Sequence, residues 1–76
     1  MSRIESVVPK ANYCLEVLLD NGSSVTLNMT NRLRTLRFSL LEDKEFFRQV
    51  TTDGICIRWD NKIEISMNEL FQLVQK

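Results

Sequence analysis

The clearest pattern along the chain is an alternation of apolar and polar residues on both sides of a short polar break, over residues 55–66. Period-two alternation of this kind is typical of a β-hairpin that buries one side. A three-residue loop over 60–62 would pair Trp59 with Ile63. It would also put the left-handed position of the turn on Lys62, so either Lys62 tolerates this strain or the turn is of another kind. The residues predicted to face inward are Ile55, Ile57, Trp59, Ile63 and Ile65.

A second hairpin is predicted from two earlier alternating segments, 12–19 and 23–29, which flank an Asp-Asn-Gly sequence. A two-residue loop would place the two apolar sets on opposite faces of the sheet, whereas a three-residue loop pairs Val17 with Val25. A slip of one residue turns every side chain to the other face, so burial favours the three-residue loop. Gly22 then occupies the left-handed position, where glycine has no steric cost.

The segments outside the hairpins predict one more strand and several helices. Ile4–Val8 is a short strand candidate, and Pro9, which lacks a backbone donor, belongs at a strand end or on an edge strand. Thr30 or Asn31 is expected to cap a short helical turn. A helix over about 42–49 would turn Phe46, Phe47 and Val50 inward, and a last helix would begin at Ser66. Its predicted inward face is Met67, Leu70, Phe71 and Val74, and the predicted capping boxes are Ser39 with Glu42 and Ser66 with Glu69.

These elements predict an α+β fold in one domain, residues 1–76: a small antiparallel or mixed sheet of two hairpins plus an N-terminal strand, with two to three helices packed on one face. The ten basic and ten acidic residues balance, which removes any general attraction for nucleic acid or for an acidic membrane. The N-terminal residues lack the apolar stretch of a signal peptide, so we expect a cytoplasmic protein that does not enter a membrane.

The residues that usually carry enzyme chemistry are scarce. The chain has two cysteines and no histidine, too few ligands for a typical zinc site and no base to activate a thiol. We expect Cys14 and Cys56 to be free thiols. The sequence predicts a protein that is not an enzyme, with no catalytic, cofactor-binding or metal-binding residues, and no small-molecule ligand is evident.

Two groups of residues are candidates for binding a partner. Arg32, Arg34 and Arg37 form a basic cluster that either binds an acidic partner or phosphate, or is a solvated surface around buried Leu33, Leu36 and Phe38. The outward sides of the strands carry Leu18 and Arg58, together with both cysteines, on a semi-polar face that a partner or a second copy could cover. Trp59 is interpreted as a core residue rather than a ligand platform.

Three segments also resemble a bacterial family, the domain of unknown function (DUF) 2442. They are YCLEVLLDNG, LLEDKEFFRQV and IRWDNKIEISMNEL, and together they span nearly the whole chain. The chain departs from the family pattern at Asp60, Lys62 and Glu64, where proline, glycine and aspartate are common. The resemblance implies a small α+β domain with helices on one face of a sheet, similar to short antitoxin-like partners encoded beside another small protein.

The first hypothesis is therefore a non-catalytic protein–protein interaction module, an antitoxin-like or regulatory subunit that binds another protein or a second copy of itself. The second is a small nucleic-acid-associated regulator that uses Arg32, Arg34 and Arg37, which the neutral charge disfavours. The third is a small phage-type inhibitor of a larger enzyme.

Overall fold

Two three-stranded antiparallel sheets organise residues 3–74, the part of the chain that the computed structural model describes. The first sheet has the order β1-β2-β3 and the second β4-β5-β6. The α+β class is confirmed, but the strands form two small sheets rather than one. The strands are β1 (Ile4–Lys10), β2 (Cys14–Leu19), β3 (Ser24–Asn28), β4 (Thr51–Thr52), β5 (Cys56–Trp59) and β6 (Ile63–Ser66), and the α-helices are α1 (Lys44–Phe47) and α2 (Met67–Val74). Three 3₁₀ turns lie at Ala11–Tyr13, Thr30–Arg32 and Ser39–Glu42.

The first hairpin has the predicted register. Val17 pairs with Val25, and the other apolar pairs of β2 and β3 follow on the same side. Gly22 has a φ of +89°, and its backbone N–H donates to the carbonyl of Leu19 at 3.1 Å. The predicted three-residue turn with glycine in the left-handed position is therefore confirmed.

β1 is an edge strand of the first sheet, which confirms the placement of Pro9. Its pairing with β2 skips one residue between Ile4 and Ser6, which is a β-bulge. Because of this bulge, Ile4 and Val7 both face the core although their spacing is odd. The Ile4 N–H donates to the carbonyl of Gly54 at 2.9 Å and so joins β1 to the turn between β4 and β5.

The second hairpin also has the predicted pairing of Trp59 with Ile63. The prediction for Ile55 is wrong: its side chain is 58% exposed. The carboxylate of Asp53 accepts hydrogen bonds from the N–H groups of Ile55 and Cys56, both at 3.0 Å, so Ile55 belongs to the turn before β5.

Of the two alternatives for the turn of the second hairpin, the structure has the one in which the turn is of another kind. The left-handed residues are Asp60 (φ +49°) and Asn61 (φ +62°), not Lys62. Asn and Asp tolerate this conformation better than other non-glycine residues, which explains the shift. The Lys62 N–H closes the turn by donating to the carbonyl of Trp59 at 2.9 Å.

The helices in the middle of the chain are shorter than predicted. In place of a helix over 42–49, the chain forms the 3₁₀ turn Ser39–Glu42 and the single turn α1. The predicted capping box of Ser39 with Glu42 is wrong, because the Ser39 hydroxyl donates to the carbonyl of Leu36. Asp43 caps α1 instead, and its carboxylate accepts from the N–H of Glu45 at 3.0 Å. Phe47 and Val50 are buried as predicted, and Phe46 is half-buried against the core.

The cap predicted for the turn at Thr30–Arg32 is also wrong. Neither Thr30 nor Asn31 caps it; the Asn28 side chain accepts from the Thr30 N–H at 2.8 Å instead.

α2 begins as predicted, with the Ser66 hydroxyl oxygen accepting from the N–H of Glu69 at 3.2 Å. Its predicted inward face is only partly correct. Leu70 is fully buried and Met67 packs against the core, but Phe71 and Val74 are each 37% exposed. Leu73 packs against the core in their place, because the helix rests on β3 with its i, i+3, i+6 residues.

Trp59 is a core residue, as interpreted from the sequence. Its side chain is fully buried, and its indole N–H donates to the carbonyl of Phe47 at 3.0 Å. The ring stacks on Phe47 at a centroid distance of 6.2 Å. Within residues 3–74, no helix has the length and apolar character that crossing a bilayer requires.

Candidate interaction site

Residues 32–41, which we call the arginine loop, connect β3 to α1 without forming a strand or an α-helix. Leu33, Phe38 and Leu41 anchor the loop because their side chains are buried in the core. The loop holds three of the sequence-predicted partner-binding residues, Arg32, Arg34 and Arg37. Their environments differ sharply.

Arg32 fixes the start of the loop to the rest of the domain. Its guanidinium donates to the carbonyl of Asn28 at 3.2 Å and to the carbonyl of Leu73 at 3.0 Å. The second bond satisfies a carbonyl in the last turn of α2, where the helix itself offers no partner. Arg32 is half-buried and joins two elements that are distant in sequence.

Arg37 fixes the other half of the loop. Its guanidinium binds both carboxylate oxygens of Glu69, one of them at 2.8 Å, and donates to the carbonyl of Glu64 at 2.7 Å. It also lies over the Phe38 ring, 4.8 Å from the centroid. The hydrogen bonds that Arg37 donates to Glu69 hold the pKa of Glu69 below its ordinary value, and the same bonds raise the pKa of Arg37.

The arginine loop presents apolar and basic groups to solvent. Leu36 is 96% exposed and Leu40 is 50% exposed. The expected burial of Leu36 is therefore wrong, whereas that of Leu33 and Phe38 is confirmed. Arg37 turns toward Glu69 and Phe38 fills the core, which leaves Leu36 on the outer side. Arg34 is exposed and makes no hydrogen bond or ion pair with any residue of 3–74.

Arg58 lies on β5 and is bound by two carboxylates. It donates to Asp53 at 3.0 Å and to Glu64 at 2.8 Å. Two backbone N–H groups, of Ile55 and Cys56, donate to Asp53 and are the main reason that its pKa is lowered. The backbone carbonyl of Glu64 accepts from Arg37, and its carboxylate accepts from Arg58. The structure therefore brings the two arginines together at Glu64.

Leu18 lies elsewhere, half-buried on the outer face of the first sheet between Ser6 and Ser24. Cys14 shares that face, but Cys56 belongs to the second sheet. The single outward face inferred from strand parity is thus divided between two sheets. Both cysteines are free and half-buried.

The family model described as "Protein of unknown function (DUF2442)" matches residues 4–75. The chain belongs to the DUF2442 family. No curated protein and no solved structure matches it. The membership confirms the resemblance seen in the three sequence segments.

This DUF2442 domain also has a cavity that sequence reasoning missed. A cavity of about 650 Å³ opens beside the turn between β1 and β2. Its lining residues are Pro9, Lys10, Ala11, Asn12, Tyr13, Thr30, Lys44, Phe47 and Arg48. The spacing of Lys44 and Arg48, four residues apart, was the available signal, but nothing in the sequence indicates that Lys10 lies beside them.

The backbone beside this cavity is strained. Asn12 has a φ of +62° and Tyr13 a φ of +59°. A left-handed bulky residue costs about 1–3 kcal/mol and is often found where a site is held in a fixed shape. Within residues 3–74 no group of three or more His, Cys, Asp or Glu side chains is placed to hold a metal ion.

Proposed function

We propose that this DUF2442 domain is a non-catalytic protein-binding module, an antitoxin-like or regulatory subunit, and that the arginine loop carries the contact. The single observation that supports this proposal is Leu36, a large apolar side chain that is 96% exposed on a loop anchored on both sides. Burying a leucine side chain contributes about 1.5–3 kcal/mol of free energy, and the isolated domain does not gain it at this position. A partner with a matching pocket would gain this free energy on binding.

The anchors of the arginine loop lower the cost of binding. Association is weakened when a flexible segment must be ordered in the complex. Here the hydrogen bonds of Arg32 and Arg37 and the buried Leu33 and Phe38 already hold the loop. The free energy gained by burying Leu36 is then not spent on ordering the segment that carries it.

Arg34 defines the chemistry of the partner. Its guanidinium has no partner among residues 3–74 and lies two residues from Leu36. A planar guanidinium is suited to bidentate binding of a carboxylate. The occupant that fits the loop is a protein surface with an apolar pocket for Leu36 and carboxylates at its rim for Arg34.

The nucleic-acid alternative has less support. Of the three loop arginines, Arg32 and Arg37 already donate to protein carbonyl and carboxylate groups, so Arg34 is left for a phosphate. The chain is neutral overall. An inhibitor of a larger enzyme could use the same loop, and the identity of the captured protein would distinguish it from a regulatory subunit. The free thiols of Cys14 and Cys56 fit action in the reducing cytoplasm.

The experiment is a comparison of proteins retained from the native host by the tagged domain and by three variants. Leu36→Glu and Arg34→Glu change the proposed contact. Ile55→Glu is the matched control, because Ile55 is also an exposed apolar residue but lies in the turn before β5. We expect one protein to be retained at near-stoichiometric amount by the wild type and by Ile55→Glu and to be lost with both loop variants.

Recovery of the same protein with Leu36→Glu would contradict the proposal. So would a domain that emerges from the native host as a monomer with no stoichiometric protein. Binding to DNA or RNA that falls steeply with salt and disappears in Arg34→Glu would favour the nucleic-acid alternative instead.

A further inference from the structure

The cavity beside the turn between β1 and β2 contains no residue of the arginine loop, and its lining is positively charged. Three cationic side chains, Lys10, Lys44 and Arg48, line it, and no Asp or Glu of residues 3–74 does. In a chain with no net charge, this is a local excess of positive charge at a concave surface. Concave, low-dielectric walls strengthen the attraction for an anion.

The acidic side chains nearby bind these three cations only weakly. Glu16 lies 3.8 Å from Lys10, and Glu45 lies 3.9 Å from Arg48, both near the outer limit for an ion pair. All four side chains are half exposed or more, and exposed ion pairs of this kind contribute little. The three cations therefore remain available to an anion in the cavity.

Beside the three cations and the polar Asn12 and Thr30, the lining has an apolar and aromatic part. Pro9 and Ala11 belong to this part, and the Tyr13 and Phe47 rings meet edge to face at a centroid distance of 5.3 Å. The Tyr13 hydroxyl donates to the carbonyl of Glu42 at 2.6 Å, which fixes the ring. Such a surface suits the hydrophobic body of an organic molecule rather than a bare inorganic ion.

The strained turn gives the cavity a fixed shape. The left-handed Asn12 and Tyr13 are held by two hydrogen bonds to the segment after β3. The Thr30 hydroxyl donates to the carbonyl of Asn12 at 3.0 Å, and the Met29 N–H donates to the carbonyl of Tyr13 at 2.9 Å. A site that is formed before the ligand arrives loses little affinity to reorganisation.

We propose that this cavity binds a small organic anion, with a phosphate or carboxylate held by Lys10, Lys44 and Arg48 and an apolar body lying against Tyr13. The site goes beyond the proposed function, since it uses none of the arginine-loop residues. Its ligand would be a phosphorylated or carboxylated small molecule of a size that fits about 650 Å³.

The test is a titration followed by backbone amide NMR shifts, with three probes: phenyl phosphate, benzoate and the neutral benzyl alcohol. We expect saturable shifts at residues 9–13 and 44–48 with one or both anions and much weaker binding of benzyl alcohol. The two anion probes distinguish a phosphate ligand from a carboxylate ligand. Lys44→Gln and Arg48→Gln should each weaken binding about tenfold, the loss expected for one charge-assisted hydrogen bond.

Arg34→Gln is the matched control and should bind as the wild type does, because Arg34 is an exposed arginine outside the cavity. Lys10→Gln is a further variant in case either helix substitution disturbs α1, and it should also weaken binding. Saturable binding that is equal for benzyl alcohol would overturn the assignment of an anion. Shifts that stay linear up to high millimolar concentration, or that are equally lost in Arg34→Gln, would overturn the site.

Discussion

Four non-glycine residues within 3–74 have positive φ angles, two in each of two turns: Asn12, Tyr13, Asp60 and Asn61. Three of them are Asn or Asp, the types that tolerate this conformation, and sequence reasoning could have chosen Asp60 and Asn61 over Lys62 on that ground. Tyr13 had no such signal. Its conformation depends on contacts with Glu42, Met29 and Phe47, which come from later parts of the chain.

One substitution in each hairpin turn should change the free energy of unfolding, with opposite signs. Gly22→Ala should lower the free energy of unfolding by about 1 kcal/mol, because alanine is strained at a φ of +89°. The added Cβ meets no atom within 4 Å, so the loss comes from the backbone alone.

Asn61→Gly should raise the free energy of unfolding by up to about 1 kcal/mol, because glycine adopts the φ of +62° without steric cost. Urea denaturation measures both, and an unchanged midpoint for Gly22→Ala would contradict the left-handed turn.

The lowered pKa of Glu69 makes the stability of the domain depend on pH. The hydrogen bonds from Arg37 lower the pKa of Glu69 in the folded protein. The stability that the ionised Glu69 contributes is therefore fully present above the ordinary pKa of 4.5. That contribution is lost as the pH falls through the lower pKa of the folded state. Since the pair is partly exposed, we expect a loss of about 1 kcal/mol.

Glu69→Gln is the variant that isolates this effect. It should be less stable than the wild type at pH 7, and the two should converge at low pH, where Glu69 is protonated. Thermal unfolding followed by circular dichroism at several pH values tests this. A gap between the two proteins that persists unchanged at the lowest pH would show that Glu69 acts by packing and not by charge.

At the scale of elements, the hairpins were predictable and the arginine loop was not. Alternation of side chains and loop length together determine the register of Val17 with Val25 and of Trp59 with Ile63, since a slip would expose an apolar face. The arginine loop has no such periodicity. Its path depends on Arg37 reaching Glu69, thirty-two residues away, and this long-range pair has no local signal. The exposure of Leu36 follows from that pair.

Arg37→Ala should therefore loosen the arginine loop while leaving both sheets intact. We expect a loss of about 1 kcal/mol in global stability, because the bonds to Glu69 and to the Glu64 carbonyl are partly exposed. Amide hydrogen exchange over 33–41 should accelerate while exchange in β2 stays slow. Arg34→Ala is the matched control and should change neither. Unchanged exchange of the loop in Arg37→Ala would show that Arg37 does not fix it.

The whole molecule depends on one core shared by two small sheets, in which Trp59 is the largest fully buried side chain. Trp59→Phe removes the hydrogen bond to the Phe47 carbonyl and part of the packed ring, and should cost about 2–3 kcal/mol. Trp59→Ala should cost about 3–5 kcal/mol, a large share of the stability of a small domain. Circular dichroism on denaturation measures both. A Trp59→Ala variant that unfolds like the wild type would contradict the placement of this residue.

We propose that the domain binds a protein through the arginine loop, with Leu36 at the exposed side of the contact. The most direct measurement is amide hydrogen exchange of the domain, free and in complex with the protein that it retains from its host. We predict that protection increases over 33–41 and stays unchanged on the outer face of β1, β2 and β3. Protection that appears on that outer face, around Leu18 and Val8, while the arginine loop exchanges as in the free domain, would contradict the account.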